Sequence, residues 1–136
     1  DQIEPLLQRL KVQHPQEIDL RCIESVPFEQ YCQEVKAADV IVDQLYSYTP
    51  AMSALEAMRR GKVVISGGEV CDFGTFTKQP PCINLRPFED EENYRILEET
   101  LLDRQKIARL SSDSQAYVRE YHDADKVAEL FVRTFV

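Results

Sequence analysis

The sequence predicts an α/β domain: a parallel sheet with crossover helices, followed by three closing helices. Three observations lead there. Up to Leu85, apolar residues recur alternately at helix spacing and at strand spacing, as they do in a layered α/β chain. The short runs Val40-Ile41-Val42 and Val63-Val64-Ile65 are β-branched throughout, as strands covered on both faces are. Between these two runs lies a segment with helix start and stop signals, and a crossover of that kind demands parallel neighbours.

The elements follow in order. Pro5 suits the first turn of a helix, and Leu6, Leu7, Leu10 and Val12 supply its apolar stripe up to a stop at His14-Pro15. Residues 18–23 alternate as a half-covered strand would. After Ser25-Val26-Pro27 a second helix runs through Tyr31, Cys32 and Val35 to Ala38. A strand is expected at 40–43, then a polar stretch from Gln44 to Thr49. The next helix, Ala51 to Arg60, has Thr49 as its expected N-cap, Pro50 at its first position and Gly61 just past its end. A third strand at 62–66 ends at Gly67-Gly68. The stretch from Glu69 to Pro81, with Gly74 and Pro80-Pro81, reads mostly as loop, and 82–85 as a last strand before Pro87. From Glu89 three helices are expected, built on Leu97, Leu101 and Leu102, on Ile107, Leu110, Tyr117 and Val118, and on Val127, Leu130, Phe131 and Phe135. The first helix has no strand to cross over from, so a further strand is expected before residue 1.

With 136 residues the chain suits one domain, 1–136. The first residue is Asp1, which points to an upstream part of the protein. No run approaches the roughly 18 apolar residues of a membrane span, and no basic-then-apolar leader opens the chain. The net charge of −8 argues against a non-specific nucleic-acid or anionic-membrane surface, yet leaves room for a phosphorylated small molecule held by backbone amides. Cys22, Cys32, Cys71 and Cys82 form no C-x-x-C pair, so neither zinc nor a redox motif is expected. Buried or half-buried reduced thiols fit a cytoplasmic setting.

In open parallel sheets ligands bind beyond the carboxyl ends of the strands. That edge should gather Ser25, residues 43–49 and residues 66–69. A helix start with free amides at Ala51, Met52 and Ser53 can hold a phosphate oxygen. Glu56, about 5 Å further along the axis, can accept two hydrogen bonds from a vicinal diol such as that of ribose. On spacing alone, a solvated helix glutamate is the plainer reading. Tyr46 and Tyr48 can stack on a base or sugar, and covering the core is their plainer role.

The runs Ala38-Asp39-Val40-Ile41-Val42-Asp43-Gln44, Ala54-Leu55-Glu56-Ala57-Met58 and Gly61-Lys62-Val63-Val64-Ile65 resemble the C-terminal halves of retaining glycosyltransferases with two Rossmann-like halves, the GT-B architecture. The likeness extends from Ile18-Glu24 to Tyr117-Val118-Arg119 and Tyr121-His122-Asp123, and so covers essentially the whole chain. It is nearest to a bacterial subgroup with "VDQLYSYTPAM", tied to surface-polysaccharide synthesis. The resemblance implies that Glu56 accepts the ribose hydroxyls of a nucleotide-sugar donor, with Tyr48, Thr49, Ala51, Met52 and Ser53 beside it. It implies transfer of a hexose to a glycan or lipid-linked acceptor, with no metal or other cofactor. A second family glutamate, eight positions before the first, holds the donor sugar; here Tyr48 stands in its place. The family's diphosphate-binding basic residues and its catalytic and acceptor groups fall in segments this chain lacks, including an N-terminal partner half. No residue of this chain is therefore expected to be catalytic, and the chain alone is expected to be inactive. Neither His14 nor His122 has a catalytic setting. Peripheral membrane contact of the complete protein is compatible with this reading.

The alternative is a receiver domain phosphorylated at Asp43, with Ser66 as switch hydroxyl and Arg86-Pro87-Phe88 in place of Lys-Pro-Phe. It lacks the acidic pair that would hold magnesium, and arginine is a poor substitute for a compact ammonium.

Overall fold

The computed structural model describes residues 2–69 and 78–135. Within them the order is α1 (Ile3–Gln13), α2 (Phe28–Ala37), β1 (Val40–Val42), α3 (Met52–Arg59), β2 (Val63–Ile65), α4 (Asp90–Leu101), α5 (Arg104–Tyr121) and α6 (Ala124–Phe135). The chain is a mixed α/β fold around a small sheet. β1 and β2 are parallel, in register Val40↔Val63, Ile41↔Val64 and Val42↔Ile65. α3 is the crossover between them, as the punctuation of that segment predicts.

β2 is the centre of the fold, because both of its edges are used. On one edge the Val63 amide donates to Asp39 O and the Asp43 amide donates to Ile65 O; on the other, the Ile83 amide donates to Val64 O and the Ser66 amide to Ile83 O. The expected strand at 82–85 is thus reduced to one parallel bridge, Ile65↔Ile83. Pro80 and Pro81 ahead of it lack amide donors, which limits how far a ladder can run.

The expected strand at 18–23 is corrected. Ile18 and Leu20 do turn toward the core, while Asp19, Arg21, Cys22 and Ile23 are exposed. Among the described residues no ladder forms there. The Ile18 amide instead closes a turn onto His14 O, which directs the chain off the end of α1. Alternation reports which side chains face inward, whereas a strand also needs a neighbour's backbone. Cys22, expected to be at least half-buried, is exposed on this segment, while Cys32 and Cys82 are half-buried free thiols. Cys71 and Gly74 lie outside the described residues.

Helices cover both faces of β2. Val63 and Ile65 pack with Leu6, Leu7 and Leu10 of α1, Tyr94 and Leu97 of α4, and Ile83 and Leu85. Val64 points the other way, among Ala54, Ala57 and Met58 of α3 and Val118 of α5. All three residues of β2 are therefore buried. Val12, counted in the α1 stripe from sequence, is 78 % exposed. The inward arc of α1 is Ile3, Leu6, Leu7 and Leu10, the i, i+3, i+4, i+7 set, and Val12 falls outside it. The three closing helices stand as predicted, and α6 buries none of its residues. Among the described residues no helix is long and apolar enough to cross a membrane.

Candidate functional site

The carboxyl edge of the sheet is shaped by the loop from Asp43 to Ala51 and by Ser66-Gly67-Gly68. These two strands of chain touch. The Gly67 amide donates to Gln44 O at 2.9 Å, and the buried Ser66 hydroxyl donates to the same oxygen at 3.3 Å. A Cβ on Gly67 would lie 1.8 Å from Ser47 O, so glycine alone admits this approach. Ser47 Oγ donates to Thr49 O at 2.9 Å and closes the loop on itself. Tyr46 has φ +61°, and its hydroxyl donates to Gln2 Oε1 at 2.8 Å.

The start of α3 differs from expectation. Thr49 is not the N-cap and Pro50 is not the first helical residue. Ala51 caps the helix with extended backbone and no side-chain hydrogen bond. The first helical bond runs from the Leu55 amide to Ala51 O, so the orphan donors of the first turn are the amides of residues 51–54. The reason lies in tertiary contacts. Ser53 Oγ donates to Asp43 Oδ1 at 2.6 Å and ties the first turn to the end of β1. With Thr49 already engaged through its carbonyl in the Ser47 turn, the helix begins three residues later.

Asp43 is half-buried; its second oxygen, Oδ2, is enclosed with no hydrogen-bond partner among the described residues. Met52 and Tyr48 project outward, 80 % and 72 % exposed. Among the described residues, neither Tyr46 nor Tyr48 belongs to a core cluster. The geometry thus brings Asp43, Ser53 and the amides of residues 51–54 together at one edge, with Tyr48 and Thr49 on the adjoining loop.

Glu56 lies on α3 but its carboxylate is engaged elsewhere. Arg59 Nε donates to Oε2 at 2.9 Å and Arg59 Nη2 to Oε1 at 3.2 Å. Arg60 Nε donates to Oε1 at 2.8 Å. Hydrogen bonding to Arg59 leads in holding this carboxyl well below the usual range, at about 2. The side chain is 46 % exposed, so solvent screens most of that interaction. Both arginines follow Glu56 in the helix, at i+3 and i+4, the favourable order for such pairs. Helix side chains lean toward the N-terminus, so both guanidiniums reach back onto the carboxylate from the following turn. The arginines were visible in Glu56-Ala57-Met58-Arg59-Arg60; the spacing alone signals this pairing.

Other candidates are placed as follows. Ser66, fully buried, faces Gln44 O. The Arg86 backbone is clamped by buried Asn93, which accepts from its amide at 3.0 Å and donates to its carbonyl at 2.7 Å. His14 ends α1, with Nε2 2.9 Å from Glu98 Oε1. His122 ends α5 beside Tyr117, and burial lowers its pKa. Ser25 has φ +53° and, with Ile23, Val26, Phe28 and Tyr31, lines an open groove of about 380 Å³ that sequence reasoning missed. Among the described residues, Ser25, Tyr46 and Phe88 are the non-glycine positions with positive φ. Such outliers collect where function constrains the backbone.

Neither family models, nor curated proteins, nor solved structures yield a match to this chain.

Proposed function

We propose that this chain binds the nucleotide part of a nucleotide-sugar donor, as the donor half of a Rossmann-like, GT-B glycosyltransferase that transfers a hexose in the cytoplasm during polysaccharide synthesis. The observation that carries the reading is the opening of α3. A crossover helix between parallel strands starts at their carboxyl edge without a side-chain cap, leaving its first-turn amides for an anion. Glu56, one turn further on, is the acceptor for the ribose diol. Tyr48 and Thr49 lie on the loop that leads into this start and adjoin the sugar. Catalytic and acceptor groups belong to a partner half.

Asp43 fits the phospho-acceptor alternative less well. One of its oxygens is taken by Ser53 and the other is enclosed, whereas an attacking oxygen needs an open line to the phosphoryl group.

Calorimetric titration of the 136-residue chain with uridine and guanosine diphosphates tests the reading. One of them should bind, and Glu56→Gln should weaken it by roughly ten-fold or more, since hydrogen bonds to an ionised acceptor are strong. An affinity that ignores Glu56→Gln removes Glu56 from the site.

A further inference from the structure

The Glu56 carboxylate is nearly saturated before any ligand arrives. An ionised carboxylate offers about four acceptor positions. Oε1 already receives Arg59 Nη2 and Arg60 Nε, and Arg60 Nη2 also stands 2.8 Å from it. Oε2 receives Arg59 Nε. About one position, on Oε2, is left open, whereas a vicinal diol needs two. Helix side chains lean toward the N-terminus, so Arg59 and Arg60 reach back from the following turn onto the Glu56 carboxylate.

We propose that Arg59 and Arg60 are positioning residues forming a latch on Glu56, so that a ribose diol engages the carboxylate only by displacing a guanidinium. This rests on the reading of Glu56 as the ribose acceptor, and adds to it a built-in competitor that sets the affinity for ribonucleotides. A ligand with a single ribose hydroxyl fits the one open position and leaves the latch closed. The latch discriminates against the very diol that Glu56 is suited to accept. It lowers ribonucleotide affinity by a few-fold. Both arginines are exposed, at 63 % and 38 %, so the latch is weak and opens readily.

The test uses the double variant Arg59→Lys/Arg60→Lys, which keeps both charges at the C-terminal end of α3 but loses the planar forks. Uridine and guanosine diphosphates and their 2′-deoxy counterparts serve as calorimetric probes. The expected result is a tightening of roughly two- to five-fold for the ribonucleotide, the range that exposed ion pairs support. The 2′-deoxy probe should show no tightening. A merely structural role for the arginines predicts the opposite, weaker binding of both probes together with a lower melting temperature, and that outcome overturns the latch. Unchanged ribonucleotide affinity, with Glu56→Gln still weakening it, overturns the latch and leaves the donor-site reading intact. No binding by either the parent or the double variant overturns both.

Discussion

The two ends of α3 are built in different ways. At its C-terminal end Gly61 has φ +74°, its amide donates to Met58 O at 2.9 Å, and the Lys62 amide reaches Ala57 O at 3.0 Å. This is the Schellman arrangement, which satisfies the last carbonyls of a helix. The following turn is locked from outside, since Ser111 Oγ donates to Gly61 O at 2.6 Å and the side chain of Gln115 reaches Arg59 O at 3.5 Å. Ala57 and Met58 are buried against β2 and α5. The N-terminal end has an uncapped first residue, an outward Met52, and one hydrogen bond from Ser53 to Asp43. Stability is therefore concentrated at one end of the helix, while the other keeps polar donors without partners among the described residues. A rigid anchor with an open tip is a suitable support for a binding site.

The comparison can be broken most directly at Met58, which has no exposed surface. Met58→Ala should lower unfolding free energy by about 2–5 kcal/mol in urea titration. A loss below about 1 kcal/mol would mean that α3 is not held by packing on the sheet. Gly61→Ala comes next. It forces an alanine into a left-handed backbone, and its Cβ would sit 3.1 Å from Gln115 Nε2 and 3.2 Å from Ser111 Oγ. The expected loss is about 1–2 kcal/mol, read from the shift in denaturation midpoint. The smallest effect sharpens the contrast: Thr49→Ala should change stability by no more than about 0.5 kcal/mol. A loss of about 1 kcal/mol would reinstate Thr49 as the helix cap.

Sequence by itself determined much of this protein. The parallel pair and its crossover helix follow from two β-branched runs with a punctuated helix between them. The C-terminal end of α3 was legible because glycine past a helix end has one dominant physical use. The three closing helices were legible because their apolar spacing is sustained over several turns. Near the candidate site, the sequence marked the loop after Val42 as one leaving the carboxyl end of a strand, and Glu56 as a residue of the following helix.

What only the tertiary structure decided is where hydrogen-bonding groups find their partners. Residues 18–23 alternate correctly yet pair with no strand among the described residues, because pairing depends on a neighbour distant in sequence. Thr49 has the right chemistry for a cap, but the Ser47 turn and the Asp43–Ser53 bond move the helix start beyond it. The Glu56 carboxylate, placed correctly on its helix, goes to Arg59 and Arg60. Hydrophobic periodicity is a local property that a sequence carries openly. The partner of a polar group is a competition among all donors and acceptors within reach, and the folded backbone sets that reach.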